Sequence, residues 1–519
     1  MEIRGEHLIA GAFVPGSGET FTARDARSGE PLPGEFREGT NEDVDRALQA
    51  AAKAFPVLRD APAAIRAALL EAIAEEVENL GDALLKRTDE ETALGEGRLT
   101  GERARCAYTA RLFAEMIREG EWVDARIERA IPDRQPLPKP DIRLMHRPVG
   151  PAVIFGASNF PYAISVVGTD TISALGAGCP VVVKAHPAHP GTCEWLGLAV
   201  TRAVERLDLP KGTFSLLHGK EHEVGLALVD HPLTEVVAFT GSLKGGTALA
   251  ERAQQRDRPI PFYGEMGSLN PVFLFPSSLE ASSEAIQTGF VQSLTLGMGQ
   301  FCTNPALVLG VAGPQWDQFV AGAAEKVSET PPGAMLHAGI GEAYAAGVEL
   351  LRRVDGVNVV GEASASIHEA GAVLAETSLE VFEREFALLS QEIFGPASIL
   401  VTCPSVEDFQ RVAASLEVSL SATLHVDEGE VEEAQSLLRS LEGKTGRLIV
   451  NGFPTGLEVC GALHHGGGFP ASSHGFFTSV GTNAIYRFVR PICYQGVPDA
   501  LLPPELQDAN PLGVSRREG

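Results

Sequence analysis

The segment Gly297-Met298-Gly299-Gln300-Phe301-Cys302-Thr303-Asn304-Pro305 sets one cysteine among small, flexible residues directly after a helical stretch. A cysteine in such company is open to an incoming ligand, whereas a packing cysteine sits inside an apolar run, as Cys179 nearly does. The chemistry on offer is nucleophilic attack by a thiolate. A thiol of ordinary pKa, about 8.5, needs its surroundings to favour or generate that thiolate. Two further segments fit the same chemistry: Phe262-Tyr263-Gly264-Glu265-Met266-Gly267-Ser268-Leu269-Asn270-Pro271 and Gln391-Glu392-Ile393-Phe394-Gly395-Pro396. Each carries a single carboxylate, Glu265 and Glu392.

Other constellations point elsewhere or nowhere. Gly241-Ser242-Leu243-Lys244-Gly245-Gly246 follows a strand and precedes a helix, so its backbone amides either hold a phosphate or form an ordinary turn. The fingerprint GxGxxG is missing after the first strand–helix–strand unit, where Gly156-Ala157-Ser158-Asn159 stands instead, and there is no P-loop. His465-Gly466-Gly467-Gly468 resembles an esterase oxyanion loop. Without a GxSxG elbow it reads as a structural glycine loop. His186 and His189 lie in His-Pro-Ala-His-Pro, where proline breaks helical spacing and no acidic cluster joins them; no metal site is expected.

The elements that must position these residues are legible from periodicity. Residues 40–120 read as helical. Thr40 and Asp43 form a capping box ahead of the one-sided face Val44, Ala47, Leu48, Ala51, Ala52 and Phe55, and a second helix covers Pro62 to Leu85. Pro132 to Pro140 reads as an ordered crossing segment. From Arg147 the texture changes. A strand from Val149 to Phe155 leads to Asn159-Phe160-Pro161, with Pro161 in the first turn of a helix that ends at Gly176-Ala177-Gly178. Asn159 also suits that helix's N-cap. A strand Val181-Val182-Val183 follows, completing a strand–helix–strand unit and hence a parallel sheet. The alternation continues with helices near Thr192–Arg206 and Glu221–Val229 and strands near Phe214–Leu217 and Val236–Phe239, the pattern of a doubly wound α/β fold. A second such region begins at Phe262–Phe275. It mixes helices (Ser283–Leu296, Trp316–Glu329) with strands (Ala306–Val311, Ala397–Val401, Arg447–Val450). Gly461 to Gly475 is a glycine-rich loop, and the last fifteen or so residues read as a mobile tail.

Bulk properties restrict the class. The 519 residues allow two or three globular units, and 44% hydrophobic with 21% charged residues is the balance of a soluble enzyme. Sixty-eight acids against 42 bases, a formal charge of -26, argue against nucleic-acid or anionic-membrane partners. An anionic small substrate would need a local basic pocket working against that field. The start, Met1 to Ala10, has no apolar core and is not expected to be a signal peptide. No apolar run reaches the roughly 18 residues of a spanning helix. Seven scattered cysteines without a CxxC pair point to a reducing cytoplasm.

Taken in order with Asn159-Phe160-Pro161, Phe239-Thr240-Gly241-Ser242 and Asn451-Gly452-Phe453-Pro454-Thr455-Gly456, the three chemical segments resemble the aldehyde dehydrogenase superfamily from about Asn41 to Gln495. The variants Glu-Met-Gly-Ser and Gly-Gln-Phe-Cys-Thr-Asn-Pro are most similar to the α-ketoglutaric semialdehyde (2,5-dioxopentanoate) dehydrogenase subgroup, with a bacterial fatty-aldehyde branch close by.

The resemblance implies two doubly wound α/β domains plus a small β oligomerisation flap. The cofactor-binding domain would comprise 1–125 and 150–263, the catalytic domain 264–480, the flap 126–149 and 481–500, and the tail 501–519. It implies Cys302 as nucleophile, Asn159 with the Cys302 amide as oxyanion donors, and Glu265 as general base. Lys184 would meet the adenosine ribose. Gly241 and Ser242 would lie at the cofactor, and Glu392 would hold the nicotinamide ribose with Phe394 beside it. Pro187 stands where NAD-specific relatives place a glutamate. NADP is therefore expected to be accepted and preferred over NAD, with Lys220 or His222 as sources of positive charge. Gly467-Gly468-Phe469-Pro470 departs from relatives, which often carry a tyrosine and one fewer glycine. Arg105 and Arg111 lie on a helix that borders the substrate tunnel in relatives; one of them meets a distal carboxylate, or both are a solvated face. The expected reaction is oxidation of 2,5-dioxopentanoate to 2-oxoglutarate by a cytoplasmic homodimer or homotetramer. A medium or long aliphatic aldehyde, or a non-catalytic binding role, stands as the alternative.

Overall fold

The computed structural model describes residues 2–366 and 369–519. Two seven-stranded sheets organise it. The first runs Phe262–Glu265, Val236–Thr240, Ala152–Phe155, Val181–Lys184, Phe214–Leu217, His7–Ile9, Ala12–Val14, with its first five strands parallel. The second runs Val357–Glu362, Val373–Ser378, Ala397–Cys403, Leu307–Val311, Val272–Leu274, Ser419–His425, Thr445–Val450, all parallel except the antiparallel edge strand Val357–Glu362. Strands such as Val181-Val182-Val183 are apolar without alternation because helices cover both faces of the sheet. The expected α/β alternation is borne out, as two doubly wound sheets.

Register decides what reaches the site. Phe155 pairs with Lys184 and with Phe239, Lys184 with Leu217, and Thr240 with Glu265. The carboxyl ends of five parallel strands therefore share one rim. Residues 156–159, Lys184, Gly241, Ser242 and Glu265 all lie there, at the edge where open α/β sheets bind ligands.

The helices pack on this sheet through one apolar cluster. Leu70, Ile73 and Val77 of Ala63–Asn79 meet Ala110, Phe113 and Ile117 of Glu96–Glu119 in it. The capping box forms as expected. Thr40 N–H donates to Asp43 Oδ2 at 3.0 Å, and Asp43 N–H donates to Thr40 Oγ1 at 3.3 Å. The single helix expected over Pro62 to Leu85 is two, Ala63–Asn79 and Gly81–Thr92. Gly81 adopts φ +61 and turns the chain between them.

Three expectations are corrected. Pro161 does not open a helix. Residues 161–167 form turns and the helix starts at Thr169, because Glu102 Oε1 on a neighbouring helix takes the N–H groups of Tyr162 (2.8 Å) and Ala163 (3.0 Å). Asn159 is accordingly no N-cap; Gly168 is. Residues 132–140 do not cross the fold but double back between antiparallel strands Ala125–Glu128 and Ile142–Pro148, closed by mutual bonds of Ile131 and Lys139 at 2.9 and 3.0 Å. The last residues are not a mobile tail. Arg516–Glu518 pairs in parallel with Ala125–Glu128 and completes a four-stranded sheet, while Leu506 is fully buried and its carbonyl accepts from Arg143 Nη1 at 2.6 Å.

Candidate active site

The turn carrying Cys302 is built by glycine. Gly297 and Gly299 both adopt positive φ (+55 and +63), and a Cβ on Gly299 would stand 2.4 Å from the Gly395 carbonyl carbon, so this loop lies directly against Gly395-Pro396. Asn270, itself at φ +50, holds the turn from below. Its Nδ2 donates to the carbonyls of Cys302 (2.9 Å) and Asn304 (3.0 Å), while its Oδ1 accepts from the Ser268 and Ser421 hydroxyls at 2.8 and 2.9 Å. Cys302 stays partly exposed in consequence, unlike the fully buried Cys179.

Beside the sulfur stands a histidine whose loop reads in the sequence as structural. His465 is 1% exposed. Its Nε2 lies 3.5 Å from Cys302 Sγ and 3.2 Å from Glu265 Oε1. Glu265, at the end of its strand, also accepts a hydrogen bond from Ser479 Oγ through Oε2. Ser479 N–H in turn donates to the His465 carbonyl at 2.8 Å, and Thr478 Oγ1 accepts from His465 N–H at 2.8 Å. A buried Arg487–Asp170 pair at 2.6 Å anchors the segment behind Ser479. Only the flexible run Gly466-Gly467-Gly468 hinted in the sequence that this histidine could reach another residue closely.

The electrostatics follow from this packing. Burial pushes the Cys302 thiol well above its ordinary value, and the Glu265 and Glu392 carboxylates push it further, while Arg105 pulls it back. Burial also acts to raise Glu265, but His465 and the Ser479 hydroxyl overcome it and hold this carboxyl below its usual range. The resting pair is thus a thiol facing a carboxylate, with an imidazole between them. Such a set can move the thiol proton onto His465 as the sulfur attacks a carbonyl, and can later activate water. The same three side chains bring potential metal-ligating atoms within 4.8 Å of one another.

Asn159 is buried, and its Nδ2 donates to the Gln300 carbonyl at 3.0 Å, which places the amide against the cysteine loop. Next to it lies a cationic lobe. Phe160 and Phe301 meet edge to face at 5.4 Å; Arg98 sits 4.8 and 4.5 Å over their rings, and Arg105 lies 5.5 Å over Phe160. Arg98 Nη2 donates to the Asn159 carbonyl at 2.6 Å, and its buried Nη1 has no partner. Arg105 makes no hydrogen bond or ion pair among the described residues. Arg111, its sequence alternative, is removed from the site by a two-pronged pair with Glu78 at 2.8 and 2.6 Å. Arg98 escaped the sequence reading because nothing local distinguishes it from the other arginines of its helix.

The cofactor candidates lie along the strand rim. Ser242 caps the helix Leu243–Gln255 by accepting from Gly245 N–H at 3.2 Å, and Gly241, Gly245 and Gly246 line its start, an arrangement fit for an anion. Lys184 Nζ donates to the Gly219 carbonyl at 2.5 Å, and burial draws its ammonium down to about 8. Glu392 Oε1 accepts from Ser268 N–H at 3.2 Å. A Cβ on Gly267 would meet its Oε2 at 2.4 Å, so only glycine lets this carboxylate enter the cleft. Phe394 is half-buried on the same segment. Of the expected phosphate cations, Lys220 is paired with Glu221 at 3.8 Å and His222 is exposed.

This geometry agrees with comparisons to known proteins. Residues 13–491 match the model of the aldehyde dehydrogenase family. An alpha-ketoglutaric semialdehyde dehydrogenase 2 from Azospirillum brasilense is 50% identical over 100% of this chain and 99% of its own length. Its counterpart from Acinetobacter baylyi is 41% identical over 99% and 98%. Among solved structures, PnpE in complex with nicotinamide adenine dinucleotide superimposes with a TM-score of 0.81 at 20% identity, covering 95% of this chain and 97% of the other. With a partly exposed cysteine, a buried carboxylate and a nucleotide-type strand rim converging in one cleft, the chain belongs to the aldehyde dehydrogenase family.

Proposed function

We propose that this enzyme oxidises 2,5-dioxopentanoate to 2-oxoglutarate, with NAD or NADP as hydride acceptor. The two full-length semialdehyde dehydrogenase relatives support the substrate. The observation that carries it here is Arg105, a guanidinium without an ion-pair partner in a chain of charge -26, set beside Phe160 and the cysteine loop. A substrate with a carboxylate beyond its aldehyde supplies the missing anion.

Cys302 Sγ adds to the aldehyde carbon, and its proton passes to His465, whose imidazolium Glu265 stabilises. The Asn159 carboxamide has a second N–H besides the one given to Gln300, and this donor faces the new oxyanion together with the Cys302 amide. The nicotinamide, when bound, accepts the hydride leaving the thiohemiacetal carbon. The resulting thioester is cleaved by water that loses its proton to the Glu265–His465 pair, which releases the carboxylate and the thiol. Lys184, Gly241, Ser242, Glu392 and Phe394 are the residues suited to hold the dinucleotide. Pro187 supports acceptance of NADP, because it puts no acid three residues after Lys184. The expected preference for NADP is weakened by the pairing of Lys220 with Glu221.

The division into cofactor (1–125, 150–263), catalytic (264–480) and flap (126–149, 481–500) parts belongs to the same proposal. The strand Val489–Gln495 lies at the edge of its sheet, which supports pairing between copies in a homodimer or homotetramer. Seven free thiols support a cytoplasmic setting, and no helix among the described residues is long and apolar enough to cross a membrane.

The test is absorbance at 340 nm with 2,5-dioxopentanoate, hexanal and decanal, each with NAD and NADP. A kcat/KM highest for the dioxo acid supports the proposal. A higher value for the aliphatic aldehydes refutes the substrate, and no turnover of any aldehyde refutes the activity.

A further inference from the structure

One acid on the strand rim comes from outside the strand–helix units. Glu38 lies between the strand Pro31–Arg37 and the helix Asn41–Asp60. Its Oε1 accepts from the N–H groups of Lys220 (2.6 Å) and Glu221 (3.2 Å), just beyond the strand Phe214–Leu217. Its Oε2 makes no hydrogen bond among the described residues and stands 3.1 Å from the place a Cβ on Gly219 would take. The Gly219 carbonyl is the one that accepts from Lys184 Nζ. Carboxylate and ammonium thus flank one glycine at the end of Val181–Lys184, and Glu38 opposes the fall that burial imposes on the Lys184 pKa.

In strand–helix–strand nucleotide folds the adenosine ribose is read at the carboxyl end of the second strand, where an acid takes the 2′-hydroxyl and a cation accommodates a 2′-phosphate. Here that end is Lys184, with Pro187 rather than an acid in the loop that follows. The fixed Oε1 leaves Oε2 as a ready acceptor at this spot. A dianionic phosphate would meet that oxygen as a like charge in a half-buried corner.

We infer that Glu38 sets cofactor choice: its carboxylate accepts the adenosine 2′-hydroxyl and repels a 2′-phosphate, so NAD is held in preference to NADP. This rests on the reading of the chain as an NAD(P)-dependent enzyme and reverses the cofactor preference expected from Pro187.

The experiment is calorimetric titration of the full chain with NAD and with NADP in the absence of aldehyde, for wild type and Glu38→Gln. The amide keeps an oxygen for the two backbone N–H groups while removing the charge. Wild type should hold NAD at least about tenfold more tightly than NADP, and Glu38→Gln should narrow that ratio at least about fivefold, chiefly by tightening NADP. Equal or tighter wild-type binding of NADP, or a ratio unmoved in Glu38→Gln, overturns the inference. Should Glu38→Gln not fold, Glu38→Ser and the wild-type ratio carry the same decision. Binding of neither dinucleotide overturns the dinucleotide reading itself, an outcome distinct from binding both with the ratio unchanged.

Discussion

The Nε2 of His465 stands 3.5 Å from the Sγ of Cys302, although 163 residues separate them in the chain. The same nitrogen is 3.2 Å from Glu265 Oε1, so the imidazole lies between a thiol and a carboxylate. Thiol, imidazole and carboxylate in that order make a proton path in which the acid orients and stabilises the charged ring.

Replacing His465 by Gln removes the proton acceptor nearest the sulfur. Turnover should fall by roughly 10²- to 10⁴-fold, the usual worth of a positioned acid–base group. Dinucleotide affinity should hold, since His465 lies away from Lys184 and Gly241 on the strand rim. Steady-state kinetics with a parallel binding titration checks this, and a kcat close to wild type removes His465 from the mechanism.

Glu265→Gln should move two observables in opposite directions. The Glu265 charge is one of the causes, after burial, that hold the Cys302 thiol high, so its loss lowers that pKa and raises the thiolate fraction at a fixed pH near 8. Alkylation by iodoacetamide should accelerate, and its pH profile should shift toward acid. Turnover should nevertheless drop by about 10²-fold or more, with a burst of NAD(P)H as the thioester accumulates. Slower alkylation in this variant would contradict the assigned electrostatics.

Arg105→Met tests recognition of the distal carboxylate. A charge-assisted hydrogen bond is worth about 1.5–3 kcal/mol, so kcat/KM for 2,5-dioxopentanoate should fall roughly 10- to 100-fold. Hexanal, which has no carboxylate, should be oxidised as well as before. Arg111→Met should change neither, because Arg111 is bound to Glu78. Parallel losses for both aldehydes would mean that Arg105 acts on the fold and not on the substrate.

Asn270→Ala withdraws the donors that hold the Cys302 and Asn304 carbonyls. It also strands the Ser268 and Ser421 hydroxyls and leaves alanine at φ +50. Stability should drop by about 2–4 kcal/mol in denaturant unfolding, from unsatisfied buried polar groups. As a positioning residue, Asn270 should also alter the alkylation rate of Cys302 under conditions where the variant is fully folded. Loss of stability without that change would assign it a structural role alone.

Glu91 offers a control remote from the chemistry. Its carboxylate pairs with Arg87 at 2.9 Å and accepts from the N–H groups of Gly191 and Thr192, each at 2.9 Å, all buried. Glu91→Ala leaves Arg87 without its ion-pair partner and should cost roughly 3–5 kcal/mol. The wild-type kinetic constants should survive in whatever fraction folds, and chemical denaturation with activity assays separates the two effects.

The α/β alternation, the capping box at Thr40 and Asp43, and the ligand-ready setting of Cys302 were determined by the sequence itself. Each depends on residues within one or two turns of chain, where apolar periodicity and glycine or proline placement act directly. The ordered set of motifs was enough to indicate the family for the same reason, since each motif is a short local structure. Tertiary structure alone decided the rest. It placed His465 at the sulfur, chose Arg105 over Arg111, turned residues 161–167 away from helix by giving their N–H groups to Glu102, and set Glu38 beside Gly219 and Lys184. Those outcomes are hydrogen bonds and charge interactions whose strength depends on through-space distance, and that distance follows from strand order and register, not from separation along the chain.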